Sequence, residues 1–305
     1  MTSRKRLILN CDDFGQCRAA NEAIIALLEE GLASSATIMA PAPAFREAAQ
    51  WARRQGDRVS IGAHLTFTSE FPGWRWGSLT GAASLQDAEG FLHPDVESFE
   101  RRAEARDVKR EMEAQFRAVR DAGVRITHAD NHMGSLYGLA TGRSHLQLTL
   151  RECSARRLPF RLFRRIWEQD AFLASIAGAE KTLGKVVLLA DLLGVPLPDY
   201  LVSHPYHVEP GETYASFKAI LCAKLYELPE GITETYVHPA VPDRDMERIV
   251  PSWEKRVWEF RLLQDDDFLY ALRDAGIALA TYRDVAREQK RSRLGALMGI
   301  GKLLG

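Results

Sequence analysis

Cysteine is scarce in this sequence: Cys11, Cys17, Cys153 and Cys222 are the four cysteines among 305 residues. None of them belongs to a Cys-x-x-Cys pair, the spacing typical of thiolate metal sites and of dithiol redox motifs. Four cysteines are also too few to hold a chain of this length together as a disulfide framework. We therefore expect reduced thiols and a cytoplasmic location.

An excess of charge of one sign is lacking as well. The sequence has 40 Lys and Arg against 41 Asp and Glu, a formal net charge of −1, so no overall field draws in nucleic acid or an anionic membrane. The most apolar segment, KVVLLADLLGVPLP, is interrupted by Asp191 and by prolines, and a membrane-spanning helix needs about 20 apolar residues. The start, MTSRKRLILN, has only a short apolar stretch, which favours a first β-strand over a signal peptide. We expect a small neutral or mixed-charge substrate, no nucleic-acid partner and no transmembrane segment.

What the sequence does contain is an alternation of β-rich runs and helical patterns, which begins RLILN, NEAIIALLEEG, ATIMAP, FREAAQWARRQG and VSIGAHL. Further strand candidates are RITHADNH, RLPFRLF, DYLVSH, ITETYVHP and IALATY. About eight parallel strands with helices between them favour an α/β fold of the distorted, TIM-like (β/α) barrel type over an open doubly wound sheet. No G-x-G-x-x-G follows the first strand, which argues against a dinucleotide cofactor.

Residues 1–285 are predicted to form one barrel domain with an inserted loop or lid near residues 71–94, where the sequence reads FPGWRWGSLTG. A charged helix is predicted from Val96 to Ala122, because apolar residues recur there at helical spacing. Residues 286–305 form a basic and apolar tail. We expect this tail to dock on the barrel or on a second subunit, which leaves a homodimer open, since one short patch anchors weakly to a membrane.

Polar side chains recur where the predicted strands end, and in a (β/α) barrel that face carries the active site. These side chains are of the types that bind metal ions or transfer protons: Asp12, Asp13, His64, His128, Asp130, His132 and His238. Any one of them alone is more often a cap or a hydrogen-bonded scaffold residue. One Asp and two His would supply three protein ligands and leave open positions. A dication there activates water and polarises an acyl carbonyl, while a nearby carboxylate and histidine serve as base and acid.

Four motifs make the pattern specific: NCDDFG, GAHLTF, THADNHMG and TYVHPA. Their order and spacing resemble the motifs of the YdjC-like carbohydrate deacetylases, also called the ChbG/HpnK family. The resemblance covers most of the chain. It implies a distorted βα barrel, N-deacetylase activity on N-acetylated sugars such as chitooligosaccharides, and one divalent metal ion, zinc or magnesium.

Carried over to this chain, the resemblance implies that Asp13, His64 and His132 bind the metal ion. Asp12 corresponds to the carboxylate that accepts a proton, and His238 corresponds to the histidine that protonates the leaving amine. Two further residues of the third motif are expected to orient the ligands without binding the metal themselves: His128 and Asp130.

Four aromatic and histidine side chains are candidates for substrate contact. Trp74 and Trp76 form a possible stacking platform for a sugar, because an aromatic face packs against C–H groups; packing of the loop onto the barrel is the alternative. His204 and His207, in VSHPYHVEPG, lie outside the matched motifs, and two prolines predict a loop near the barrel mouth. We expect these histidines to contact substrate rather than metal.

Two other functions fit the same residues. The first is metal-dependent hydrolysis of another bond, a phosphoester or a different amide, although the sequence has no glycine-rich phosphate cradle. The second is a non-catalytic carbohydrate-binding barrel, against which Asp12 and His238 argue, since a binder needs no paired base and acid. The sequence leaves open whether the substrate is a chitooligosaccharide or a glycolipid headgroup.

Overall fold

The computed structural model describes residues 4–169 and 179–290 of the chain, and a curved sheet of parallel strands lies at its centre. The strands of the described residues are β1 (Lys5–Phe14), β2 (Ser35–Ile38), β3 (Ile61–Leu65), β4 (Ile126–Asn131), β5 (Tyr200–Val202), β6 (Gly231–Val237) and β7 (Ala278–Leu279). The predicted tail lies outside the described residues from position 291 onward.

Helices surround this sheet, and most of them connect one strand to the next. Their bounds are α1 (Arg18–Glu29), α2 (Phe45–Gln55), α3 (Val96–Arg102), α4 (Ala105–Asp121), α5 (Leu146–Arg156), α6 (Ala179–Leu193), α7 (Tyr214–Glu227), α8 (Arg244–Ile249), α9 (Trp253–Leu263) and α10 (Asp266–Asp274). Residues 282–290 are helical as well. Within the described part of the chain, no helix combines the length and the apolar character that crossing a membrane requires.

The strands lie in the order β4, β3, β2, β1, β6, β5, and β7 pairs with the first half of β1. All of these pairings are parallel. β1 is the central strand and is buried along nearly its whole length, which explains the almost continuous apolar run at the start of the sequence. The predicted α/β fold of mostly parallel strands is confirmed, in the form of a curled half-barrel.

The two edges of this sheet, β4 and β5, are joined by irregular chain. The sequence predicts a strand at RLPFRLF, but this segment makes a single parallel bridge, between Phe160 and Ala129. The amide of Phe160 donates to the Pro196 carbonyl at 3.0 Å on the other side. Pro159 has no N–H to contribute to a ladder, which explains why no regular strand forms. We call residues 158–164 the seam of the barrel.

The charged segment after the inserted loop forms two helices, α3 and α4, where one continuous helix was predicted. The break falls at Ala103 and Glu104, whose ψ angles of 126° and 135° are extended. There the Glu104 amide donates to Ser84 Oγ at 3.1 Å, and Ser84 donates to Asp107 at 2.8 Å. The inserted loop thus satisfies the Glu104 amide, which in a continuous helix would donate to a backbone carbonyl one turn earlier. The predicted apolar positions are all buried: Val108, Met112, Phe116 and Val119.

The inserted segment 71–94 is a packed wall rather than an open loop. Glu111 of α4 accepts hydrogen bonds from the amides of Leu79 and Thr80 at 3.0 and 2.9 Å. Arg75 forms an ion pair with Asp87 at 2.6 Å. The apolar side chains of the inserted segment join the main core: Phe71, Trp76, Leu85 and Leu92. The wall is therefore held in place on one side of the barrel.

The interior beneath the strand ends is tightly packed around His128. The His128 ring stacks on Tyr282 at a centroid distance of 4.0 Å, and Thr127 Oγ1 lies 2.9 Å from its Nδ1. Burial lowers the pKa of His128 to about 3, so the ring is neutral. Gly62 of β3 faces this ring, and a Cβ atom there would lie 2.6 Å from His128 Nε2.

Replacing Gly62 with alanine should therefore lower the free energy of unfolding by about 1–3 kcal/mol, the usual cost of extra volume in a packed interior. The matched control is Gly73→Ala, where an added Cβ meets no atom within 4 Å. Chemical denaturation of both variants measures the difference. A Gly62→Ala protein as stable as the Gly73→Ala protein would contradict this account of the packing.

Candidate metal centre

Three potential ligand atoms converge at the C-terminal ends of β1, β3 and β4. Asp13 Oδ1 lies 3.4 Å from His64 Nε2 and 3.2 Å from His132 Nδ1. The two imidazole nitrogens are 3.3 Å apart. All three side chains are buried, and together they form a group able to hold a metal ion. The structure thus brings together the three residues to which the sequence assigns metal binding.

The backbone turns at Asp13 itself, and this turn directs both adjacent aspartates into one pocket. Asp13 has a φ of 63°, and the pairing of β1 with β2 shifts register between Cys11 and Phe14. In a regular strand Asp12 and Asp13 would point to opposite faces. A left-handed conformation costs a non-glycine residue about 1–2 kcal/mol, and such strain is concentrated at functional sites.

The outer nitrogen of each histidine is held by a carboxylate. His64 Nδ1 lies 2.7 Å from Asp130 Oδ1, and His132 Nε2 lies 2.8 Å from Glu70 Oε1. These contacts fix both rings so that the inner nitrogens face Asp13 Oδ1. A carboxylate behind a histidine is the usual way that proteins orient metal ligands.

Carboxyl groups outnumber guanidinium groups around the three atoms. The carboxyl groups belong to Asp12, Asp13, Glu70, Asp130, Glu234 and Glu259, and the guanidinium groups to Arg161 and Arg256. Burial alone would lower the pKa of His64, but the nearby carboxylates reverse this and raise it to about 10. Burial is likewise outweighed at His132, whose pKa rises to about 9. The pocket therefore attracts positive charge.

One atom of the cluster makes only long polar contacts. Asp13 Oδ1 is fully buried and makes no hydrogen bond of good geometry within the described part of the chain; its nearest polar neighbours are His132 Nδ1 and His64 Nε2, at 3.2 and 3.4 Å. A buried carboxylate oxygen without a close partner is costly. A cation bound between Asp13, His64 and His132 would satisfy it. The donor set, the orphaned oxygen and the negative surroundings thus fit a divalent metal ion.

Asp12 forms a bidentate ion pair with Arg161, at 2.6 and 2.7 Å. The Asn10 side chain donates to the same carboxylate at 2.8 Å. Burial alone would raise the pKa of Asp12, but Arg161 holds it well below its usual range, so Asp12 is ionised at neutral pH. Arg161 also lies 2.9 Å from Asp130. A second group of potential ligands consists of Asp12, His64 and Asp130. The guanidinium of Arg161 already pairs with both of its carboxylates, so we do not assign a second metal ion to it.

Arg161 is itself held from below by Glu234. Its Nε donates to Glu234 Oε1 at 2.9 Å, and the Tyr282 hydroxyl donates to the other carboxylate oxygen. Burial raises the pKa of Glu234 to about 7 despite the neighbouring guanidinium. The stacked His128 lies on the far side of Tyr282. His128 thus packs beneath the site, whereas Asp130 directly contacts a ligand histidine.

His238 lies at the edge of the cluster, between two carboxylates. Its Nε2 is 3.9 Å from Asp12 Oδ2 and its Nδ1 is 3.9 Å from Glu259 Oε2. The His238 backbone amide donates to the same Glu259 oxygen at 2.6 Å. Burial lowers the pKa of His238 despite these carboxylates. Its side chain is 18% exposed, against 4% for Asp12, so His238 faces the more open side of the pocket.

The other predicted contact residues are placed differently from one another. Trp76 is buried, with Nε1 donating to the Thr68 carbonyl, and its ring lies 6.1 Å from that of His132. Trp74 is partly buried and donates to the Gln16 carbonyl at 3.0 Å. His204 is buried against Glu259 at 2.8 Å. His207 is exposed and pairs with Glu209 at 2.9 Å. Trp74 and His207 therefore remain the accessible members of this set.

Several residues of the site were missed by the sequence interpretation: Glu70, Arg161, Arg256 and Glu259. Arg161 stands between apolar residues within a predicted strand, and that position was a signal of a buried charge. Glu70 immediately precedes the inserted wall, where no periodicity applies. Arg256 and Glu259 lie on α9, whose charged residues follow no clear stripe, although the helix buries Lys255, Arg256 and Glu259.

The fold and the site together define an α/β half-barrel with a three-ligand candidate metal centre at the C-terminal ends of its strands. The chain belongs to the YdjC-like protein family, whose model matches residues 6–274. A carbohydrate deacetylase of Thermus thermophilus is 30% identical over 254 residues, 83% of this chain and 84% of that protein. A carbohydrate deacetylase of Enterococcus faecalis is 26% identical over 291 residues, 93% of this chain and 99% of that protein.

A solved structure supports the same grouping. An Enterococcus faecalis protein, described as a candidate for cellobiose-phosphate cleavage, superimposes with a TM-score of 0.71 at 25% identity. The match covers 92% of this chain and 98% of that chain. The half-barrel is thus a fold that this chain shares with a family member along nearly its whole length.

Proposed function

We propose that this protein is a metal-dependent deacetylase that removes the acetyl group from an N-acetylated amino sugar. The observation that carries the proposal is the convergence of Asp13, His64 and His132 with Asp12 and His238 beside them. A three-ligand site leaves positions open for water and substrate. The relatives described as carbohydrate deacetylases support the choice of an acetylated sugar as the substrate.

The proposed roles follow from the placement of each side chain. Asp13, His64 and His132 would hold a dication, which supplies Lewis acidity to the acyl oxygen and makes a water more acidic. Asp12, kept ionised by Arg161, accepts the proton that this water loses as it attacks the acyl carbon. His238 donates a proton to the amide nitrogen as the C–N bond breaks. Acetate leaves as the anion, and the sugar amine takes up the proton.

The two proton-transfer groups are close enough to work together. His238 Nε2 lies 3.9 Å from Asp12 Oδ2, and catalytic hydrogen bonds that are long without substrate often tighten when substrate binds. Because burial lowers the pKa of His238, the imidazole is neutral before the reaction and can receive the proton taken up by Asp12. His238 then acts as the acid in the same turnover.

The chemistry of the donor set favours zinc over magnesium. The three candidate ligands offer two imidazole nitrogens and one carboxylate oxygen, which suit zinc, whereas magnesium prefers oxygen ligands.

The test of the proposed function is a screen for acetate release. Purified protein reconstituted with zinc is incubated with N-acetylated mono- and disaccharides, chitooligosaccharides, a GlcNAc-bearing glycolipid and a phosphorylated disaccharide. We expect acetate and a free amine from at least one N-acetylated sugar, and none after chelation of the metal. Release of phosphate without acetate would replace the proposal with phosphoester hydrolysis. Binding of sugars without either product would replace it with a non-catalytic binding function.

A further inference from the structure

The two oxygens of the Asp13 carboxylate have different surroundings. Oδ2 accepts hydrogen bonds from Arg256 Nη2 at 2.8 Å and from Gln16 Nε2 at 3.2 Å. Oδ1 makes no hydrogen bond of good geometry in the described part of the chain and faces His64 Nε2 and His132 Nδ1 at 3.4 and 3.2 Å. The carboxylate is therefore held in one orientation, with Oδ2 occupied and Oδ1 directed at the two candidate ligand nitrogens.

Arg256 reaches this carboxylate from a distant part of the chain. Its burial is unfavourable by itself, because the guanidinium loses its contact with water. Arg256 lies on α9 and is 243 positions from Asp13 in sequence, and its side chain is 8% exposed. Arg256 forms its ion pair with Asp13, while its Nη1 is buried without a hydrogen-bond partner among the described residues. A guanidinium is rarely buried unless it is paired. The contact with Asp13 thus accounts for the burial of Arg256.

Gln16 supports the same oxygen from the other side. It follows the turn that begins at Asp13 and is fully buried. Its backbone carbonyl accepts the hydrogen bond from Trp74 Nε1 at 3.0 Å. The inserted wall therefore helps to fix Gln16, and α9 fixes Arg256, so that two separate elements hold Asp13 Oδ2.

We infer that Arg256 is a positioning residue of the metal centre, which together with Gln16 restricts Asp13 to monodentate binding through Oδ1. This inference rests on the metal site of the proposed function. With both oxygens free, the carboxylate could bind a metal ion through both of them and would then take up one further coordination position. By occupying Oδ2, Arg256 keeps that position open for water or for the acyl oxygen of the substrate.

Cobalt(II) provides a readout that does not depend on turnover. Full-length protein is stripped of metal with a chelator and titrated with Co²⁺, whose visible absorption is stronger in four-coordinate than in five- or six-coordinate sites. We expect Arg256→Met to bind Co²⁺ with weaker visible absorption than the wild type, because Asp13 Oδ2 would then be free to become an additional ligand. Gln16→Leu removes the other donor without a change of charge. We expect it to shift the spectrum in the same direction.

The matched control is Lys255→Met, because Lys255 is the neighbouring buried cation on α9 and pairs with Glu212 at 2.6 Å, away from the cluster. This variant should lose stability but keep the wild-type Co²⁺ spectrum. If the wild-type protein binds no Co²⁺, both the proposed metal site and this inference are wrong. If the wild type binds Co²⁺ and both Arg256→Met and Gln16→Leu keep its spectrum, the inference is wrong while the metal site stands.

Discussion

The His132→Ala variant is expected to lose both its bound metal and its deacetylase turnover. His132 supplies one of three ligand atoms, and its ring is held in place by Glu70 at 2.8 Å. A metal ion supplies several kcal/mol of transition-state stabilisation, and every 1.36 kcal/mol is a factor of ten in rate, so turnover should fall by at least about a thousandfold. Elemental analysis should find about one zinc per wild-type chain and almost none in the variant, as for a three-ligand site.

The control for this variant is His145→Ala. His145 is also a buried histidine, but it packs against Phe99 at a centroid distance of 5.6 Å and is not part of the cluster. It should keep both metal and turnover, apart from a loss of stability that thermal unfolding measures. A His132→Ala protein that retains a full equivalent of metal and wild-type turnover would rule out the assigned ligand.

A second large effect is expected for Asp12→Asn, which keeps the size of the side chain but removes the proton acceptor. Positioned acid–base groups contribute about 10²–10⁴-fold to rate, so turnover should fall by that factor. Metal content should stay at the wild-type level, because Asp12 is not among Asp13, His64 and His132. The combination of full metal and little turnover distinguishes this variant from His132→Ala.

Glu97→Gln serves as the control for the loss of an arginine pair. Glu97 Oε1 accepts hydrogen bonds from Arg101 Nε and Nη2 at 2.9 and 2.7 Å, on the exposed side of α3 and outside the cluster. Loss of this pair should leave turnover unchanged. An Asp12→Asn protein with more than a tenth of the wild-type rate would exclude Asp12 as the base and would favour a role in holding Arg161.

The part of the site that the sequence predicts is the part that lies at strand ends. Parallel strands place their carboxyl ends on one edge of the sheet, so Asp13, His64 and His132 were expected on the same edge once the strands were recognised. The motif order added the roles of Asp12 and His238 through the family resemblance. The strand order that brings these residues close together was not predicted, because it depends on long-range pairing.

The arginines that pair with these residues could not be predicted from local sequence patterns, because long-range packing brings them into the site. Arg161 meets Asp12 across 149 positions, and Arg256 meets Asp13 across 243. The first lies on a segment that Pro159 keeps out of the sheet, and the second on a helix without an amphipathic stripe. The break between α3 and α4 has the same origin, since Ser84 of the inserted wall supplies hydrogen bonds at Glu104 and Asp107.

The seam that joins the two edges of the sheet has a consequence for how activity is acquired during folding. Phe160 makes the bridge to β4, and the next residue, Arg161, extends its guanidinium to Asp12. The bridge that joins the seam to β4 and the ion pair that keeps Asp12 ionised are therefore expected to form together. A chain whose sheet has assembled while the seam is still detached would hold Asp12 in a buried pocket without its counter-ion, where burial raises the carboxyl pKa. Such an intermediate would be compact yet inactive. During refolding, deacetylase activity would therefore appear only when the seam has packed, and not when the chain first becomes compact.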